Sequence, residues 1–132
     1  MEIFIDTSAI YAFISEDDRN HSVARQIWGS LLTGDEKLLT NSYVLVESIT
    51  LVQQRLGMKY VRAFLPQFTP VLQVDWLGQE QHLRIVEQLL TANRRNLSLV
   101  DCSSFESMRR LGIEKVFTFD EHFREQGFNV IP

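Results

Sequence analysis

The sequence predicts an α/β fold of three layers, with a mostly parallel central sheet between helices on both faces. Two observations carry this. Short runs of β-forming residues alternate with longer segments of helical periodicity, which is the pattern of βα units around a parallel sheet. The chain of 132 residues, 45% hydrophobic and 23% charged, also holds enough apolar material for one core of ordinary size. Without repeats, low-complexity tracts or a composition break, residues 1–132 read as a single domain.

Each element has a local reason. "EIFID" is a short strand rich in β-formers, and the charge-free segment Thr7 to Ile14 after it reads as a helix. Asn20 is the expected N-cap of "HSVARQIWGSLL", where Val23, Ile27, Trp28, Leu31 and Leu32 fall at helical spacing. "TGDEK" is a turn and "LLTN" a second strand. "SYVLVESITLVQQRL" is the clearest helix, with Leu45, Ile49, Val52 and Leu56 in step and Gly57 as its stop. "KYVRAFLPQF" predicts a helix ending near Pro66, with Tyr60, Phe64 and Phe68 at helical spacing. Pro70 introduces the strand "VLQVD". Gln79 to Arg95 reads as a long helix with Leu83, Val86, Leu89 and Leu90 on one side. Ser98 starts a helix that Gly112 ends; "KVFTF", one or two turns in "DEHFREQG" and the strand "NVI" follow.

Composition excludes several classes. The lone cysteine, Cys102, permits no internal disulfide, and nothing argues for secretion. Glu2 and the brief apolar run ending at Asp6 do not make a signal peptide, and no stretch is long enough to span a membrane. The expected location is therefore cytoplasmic. A net charge of −4 argues against nucleic-acid binding by bulk electrostatics. Such contact requires a local basic patch or metal ions.

In open parallel sheets, ligands bind outside the carboxyl ends of the strands. Asp6 ends the first strand and Asp120 follows "KVFTF". Asp101 lies in the first turn of its helix, three residues after Ser98. Glu47 sits about 200° around its helix from Leu45, off the apolar stripe but near the same edge of the sheet. Singly, each has a structural explanation. Asp6 or Thr7 caps the next helix, Ser98-x-x-Asp101 fits a capping box, Asp120 caps "EHFREQ", and Glu47 is a solvated helix residue. Capping does not require four acids to converge on one edge.

"FIDTSAIYAF", "NSYVLVES", "LSLVDCSSF" and "VFTFDEHF" resemble, in order along the whole chain, the four sequence blocks of PIN-domain ribonucleases. The chain size and the "DTSA" and "TFDEHF" wording are most similar to the VapC-type toxins of VapBC toxin–antitoxin pairs. The resemblance implies a PIN-like fold and a metal-dependent endoribonuclease that hydrolyses RNA phosphodiester bonds. It places the catalytic acids at Asp6, Glu47, Asp101 and Asp120 and a hydroxyl at Thr118. It also implies a cognate antitoxin and a homodimer, the antitoxin's tail crossing the acidic crevice with an Arg or Lys in place of metal. Phe105 stands where such proteins often carry a small residue, and reads as core packing.

Chemistry makes sense of these acids. Mg²⁺ or Mn²⁺ activates water and stabilises charge on phosphoryl oxygens, and both choose carboxylate ligands. Without a cation, clustered carboxylates repel and part of the cluster stays protonated. Asp6 and Asp101 are expected as direct ligands, Asp120 as a ligand through water or at a second ion, and Glu47 as the group that orients or deprotonates the attacking water. Thr118 and the Thr7–Ser8 amides are expected to position the substrate phosphate. Cys102 reads as a small buried hydrophobe, and His21, His82 and His122 lack metal-ligand spacing among themselves, so surface or packing roles are expected for His122. "NRRN" (93–96) and Arg109–Arg110 read either as phosphate contacts or as solvated helix ends.

Two rival functions have discriminating features. A haloacid-dehalogenase-type phosphatase needs a second Asp two residues after the first, where this chain has Ser8; a response-receiver domain needs an acidic pair at the first strand, and Asp6 stands alone. The other rival is a PIN-like binding module that no longer cleaves, against which the intact acids argue.

Overall fold

The computed structural model describes residues 1–132. Five strands, β1 (Glu2–Ile5), β2 (Lys37–Asn41), β3 (Leu72–Asp75), β4 (Lys115–Phe117) and β5 (Asn129–Ile131), form one sheet in the order β3-β2-β1-β4-β5. Every pairing is parallel. The apolar β1 is central, with Phe4 opposite Leu39 on one side and Val116 on the other. Its residues Ile3, Phe4 and Ile5 are fully buried, as expected of a strand covered on both faces.

Seven helices connect the strands: α1 (Thr7–Ile14), α2 (His21–Thr33), α3 (Ser42–Leu56), α4 (Met58–Phe68), α5 (Gln79–Ala92), α6 (Leu99–Leu111) and α7 (His122–Glu125). The chain steps outward from β1 through β2 to β3, then crosses back to β4 and β5. With right-handed crossovers this reversal puts α1–α4 on one face and α5–α7 on the other, the three-layer sandwich predicted. The reversal also creates a switch point between β1 and β4, where the connections leaving the two strands diverge and open a crevice. Asp6 lies there: its amide donates to the Phe117 carbonyl at 3.1 Å, and the Thr118 amide donates to the Ile131 carbonyl at 3.0 Å.

Several helix details differ from the sequence expectation. α4 continues through Pro66 to Phe68. Proline there removes the donor that would reach the Arg62 carbonyl, one turn back on an exposed residue, where water can replace it. α5 ends at Ala92 rather than Arg95, because Asn93 turns into the left-handed region at φ 50°. The inward-facing lines also shift. On α2 the buried residues are Ala24, Trp28 and Leu31, with Val23 and Leu32 exposed. On α3 they are Val44, Ser48 and Val52, beside rather than along the Leu45–Ile49 line. On α4, Val61 takes the place expected for Tyr60, and on α5 only Ile85 is fully buried while Leu83 and Leu90 are exposed. Counting apolar residues locates a stripe, but small residues such as Ala24 and Ser48 sit on the buried faces, where backbones pack closely.

Behind the crevice, α6 is tied to the sheet by polar contacts. Asn41 caps α3 by accepting from the Val44 amide at 2.9 Å and donates to the Ser103 and Ser107 hydroxyls at 3.2 and 3.1 Å. Ser107 donates to Asp75 at 2.8 Å, and Arg110 bridges Asp75 and Glu106. Asn41, Ser103 and Ser107 are fully buried, and the network satisfies them, which fixes the placement of α6 over the ends of β2 and β3.

Candidate active site

At the switch point a cleft of about 420 Å³ is lined by Asp6, Thr7, Ser8, Glu47, Asp101 and Asp120, together with Tyr11, Asp18, Arg19, Asn20, Leu51, Arg55 and Phe119. All four acids singled out in the sequence thus border one cavity. A larger cavity of about 510 Å³ lies between α5 and α6, but Glu87 is its only carboxylate, so the acid chemistry is concentrated in the smaller cleft.

Asp6 is built in most tightly. It follows β1 directly, caps α1 through the Ser8 amide at 3.4 Å, and is 4% exposed. Its Oδ2 accepts from the Ser8 hydroxyl at 2.9 Å and the Thr118 hydroxyl at 2.8 Å. Those two hydroxyls are themselves anchored, Ser8 by the Phe119 amide at 2.9 Å and Thr118 by the Asp120 amide at 3.0 Å. Ser8 and Thr118 therefore lock β1 to the segment after β4 and aim the Asp6 carboxylate. Their hydrogens face Asp6, which leaves the expected role of positioning substrate to the Thr7–Ser8 amides, since the Thr7 hydroxyl is itself buried.

Burial pushes the Asp6 carboxyl up to about 6; the Thr118 and Ser8 hydrogen bonds oppose this and the charges of Asp101 and Asp120 add to it. Asp101 is also raised, by burial first, against its hydrogen bonds with Ser98 and with the charge of Asp120 adding. The cluster thus stands partly poised to hold protons, as expected of carboxylates gathered without a cation.

The capping explanations are also real. Ser98 and Asp101 form a reciprocal capping box, with distances of 2.9 and 3.1 Å, and Asp120 accepts from the His122 amide at 2.9 Å. Each cap uses one carboxylate oxygen or part of one, so the same side chains can cap and still face the cleft. Glu47 accepts no hydrogen bond and lines the cleft from α3.

His122 departs from its expected surface or packing role. Its Nδ1 lies 2.8 Å from Asp120 Oδ1 and 3.7 Å from Asp101 Oδ2. This buried nitrogen has no partner in hydrogen-bonding geometry. One donor atom each from Asp101, Asp120 and His122 lies within 4.8 Å of the other two, near the span of about 4.2 Å between opposite ligands of an octahedral ion with bonds of about 2.1 Å. The donor set therefore suits a small divalent ion, with Asp6 lining the same cleft.

Other polar residues fall away from the site. Burial, then the charge of Asp101, pushes the Cys102 thiol up, which suits a packing residue and not a nucleophile. Arg94 pairs with Glu125, Arg110 with Asp75 and Glu106, and Arg109 lies over the Phe105 and Phe128 rings; none lines the cleft. Phe105 is core packing, edge-on to Phe123. The sequence reading missed Tyr11, Asp18, Arg19 and Arg55. Helical phase was a signal for two of them, since Tyr11 follows Thr7 by one turn and Arg55 follows Glu47 by about two.

Comparison with known proteins agrees with this geometry. The PIN domain profile matches residues 3–129. The 23S rRNA-specific endonuclease VapC20 of Mycobacterium tuberculosis is 32% identical over 127 residues, covering 96% of this chain and 95% of that protein. The VapC ribonuclease of Aquifex aeolicus is 23% identical over 128 residues, covering 96% of this chain and 93% of the relative. The crystal structure of VapC20, described as a sarcin-ricin loop cleaving toxin, superposes with a TM-score of 0.85 at 30% identity over 96% of this chain and 95% of that one. VapBC2 from Rickettsia felis, solved bound to a DNA fragment from its promoter, shares the fold with a TM-score of 0.69 at 11% identity over 99% of this chain and 98% of that one. On the match across nearly its whole length, the chain belongs to the PIN domain family and is a homologue of the VapC ribonucleases.

Proposed function

We propose that this protein is a divalent-metal-dependent endoribonuclease and the toxin of a toxin–antitoxin pair. The observation that carries the reading is the convergence of Asp6, Glu47, Asp101 and Asp120 on one cleft, with the Asp6 carboxyl pushed up to about 6 by burial and by its acidic neighbours. Such an arrangement is costly unless a cation joins it.

Asp101 and Asp120 would hold Mg²⁺ or Mn²⁺ directly, with the free Oδ1 of Asp6 completing the carboxylate set. The ion supplies Lewis acidity and a more acidic bound water. Glu47, free of other partners on the α3 wall, accepts the proton of the attacking water as its oxygen bonds to phosphorus and the ester P–O bond breaks, the leaving oxygen taking a proton from solvent. Ser8 and Thr118 hold Asp6 in a fixed orientation, so little reorganisation is needed during reaction. The first amides of α1, at Thr7 and Ser8, would meet a phosphate oxygen.

The similarity to a 23S rRNA-specific, loop-cleaving toxin supports an RNA substrate with exposed, unpaired nucleotides. It equally supports a small antitoxin partner, whose basic side chain can satisfy the acids in place of the ion. A homodimer and a cytoplasmic location belong to the same reading; no helix is long and apolar enough to cross a membrane.

The test is RNA cleavage by the purified protein with and without chelation. Cleavage is expected with added Mg²⁺ or Mn²⁺ and is expected to vanish in excess EDTA, returning when the metal is restored. Full cleavage after exhaustive chelation would overturn the metal mechanism.

A further inference from the structure

A polyanion approaching this cleft meets five carboxylates, Asp6, Asp18, Glu47, Asp101 and Asp120, on a chain of net charge −4. Divalent ions offset the charge only where the acids bind them, so the flanking phosphates need other cations. Arg19 and Arg55 are the cations that line the cleft. Neither has a carboxylate within ion-pair distance, whereas Arg84, Arg94, Arg110, Lys115 and Arg124 all do.

Arg55 is held in another way. Its guanidinium lies over the Tyr11 ring, 5.3 Å from the ring centre, so α1 and α3 meet across the cleft wall through a cation–π contact. Arg55 is an exposed residue, and its guanidinium makes no hydrogen bond or ion pair, so guanidinium surface beyond the ring contact stays available. An open guanidinium plane stacks on a nucleobase, and its N–H edge fits a phosphate.

We propose that Arg55, backed by Tyr11, is a stacking platform for an unpaired base next to the scissile phosphate, with Arg19 neutralising a neighbouring phosphate. This deepens the ribonuclease reading and rests on it. The platform selects looped or single-stranded RNA, because a base inside a duplex has no free face to offer. It also explains how an acidic protein holds RNA, through a local cationic clamp that its net charge conceals.

The experiment follows binding of a short fluorescein-labelled unstructured RNA by fluorescence anisotropy, in Ca²⁺ to hold the acids neutralised, across a salt series. Arg55→Gln is expected to weaken binding about tenfold. It should also reduce the salt slope by about 0.7, the share of one single-strand phosphate contact. Arg55→Lys keeps the charge and the salt slope but loses most of the stacking. Tyr11→Phe binds as wild type, Tyr11→Ala resembles Arg55→Lys, and Arg19→Gln changes chiefly the salt slope. A fully paired duplex of the same sequence is bound weakly, and equally by wild type and Arg55→Lys.

Wild-type affinity in both Arg55→Gln and Tyr11→Ala would overturn the platform. Full recovery in Arg55→Lys would overturn stacking and leave charge alone. Arg55 is exposed, so its two variants decide the matter even where Tyr11→Ala fails to fold. Cleavage of the same RNA in Mn²⁺ separates the two levels. Absence of wild-type cleavage overturns the ribonuclease reading, while intact cleavage with unchanged KM in Arg55→Gln overturns the clamp only.

Discussion

Asp101→Asn is expected to lower kcat/KM for RNA cleavage about a thousandfold while raising the unfolding midpoint of the metal-free protein at pH 7. The two effects have one origin. Asp101 lies beside Asp120 and His122 and is raised by burial and by the Asp120 charge, so its ionised form is unfavourable without a cation. Asparagine retains a carbonyl oxygen that can accept from the Ser98 amide, and the Ser98 hydroxyl still receives the amide of residue 101, so the cap on α6 survives. The anionic ligand does not. Losing several kcal/mol of charge stabilisation in the transition state corresponds to about three decades in rate. Steady-state cleavage and metal-free thermal unfolding of the same preparation check both. Retained activity, or a lowered midpoint in EDTA, would assign Asp101 to structure alone.

Asp6 makes the largest stability prediction. Its folded carboxyl is raised from 3.8 to about 6. The folded protein therefore holds a proton that the unfolded chain releases, and this stabilising linkage is complete below about pH 4. It is lost as pH rises from about 4 to about 6 and stays lost above that. At pH 7 the ionised Asp6 costs the metal-free fold about 3 kcal/mol relative to its protonated form. Asp6→Asn removes the titration while its carbonyl can still accept from Ser8 and Thr118. Urea unfolding in EDTA between pH 4 and pH 7.5 should show the variant gaining on the wild type as pH rises, by up to about 3 kcal/mol. Parallel pH profiles would mean that burial of Asp6 carries no such penalty.

Much of this architecture was legible in the sequence. The strands announced themselves by β-forming residues bounded by turns, and the alternation with helices fixed a parallel sheet. The acids could be placed because strand ends in such sheets share one edge, which made Asp6 and Asp120 candidates for one crevice; that β1 and β4 are neighbours came from the fold. The faces of the helices were less legible. Val23, Leu83 and Leu90 satisfy the helical period yet lie exposed, while Ser48, Ser103, Ser104 and Ser107 are buried on close-packed faces. Hydrophobic counting is blind to small polar residues that pack against backbone or bind one another. His122, two residues after Asp120, reads from the sequence as near the site but with a surface or packing role; no ligand spacing along the chain foretells that the turn after β4 folds its ring onto Asp120 and Asp101. Ser8 and Thr118 were recognised as site residues, but their commitment to Asp6 depends on hydrogen bonds between segments 110 residues apart. The Arg55–Tyr11 contact likewise joins two helices that only the tertiary fold brings together.

That the acids form one shared metal site is tested most directly by thermal unfolding with and without Mn²⁺, comparing wild type with Asp6→Asn, Asp101→Asn and Asp120→Asn. At a hundredfold excess of metal over Kd, the wild type should gain about 2.7 kcal/mol. Each variant should gain less, Asp101→Asn least among them, although Asp6→Asn and Asp101→Asn start from a metal-free fold at least as stable as the wild type at pH 7. Identical metal-induced shifts in all four proteins would contradict a shared site and return Asp6, Asp101 and Asp120 to the role of helix caps.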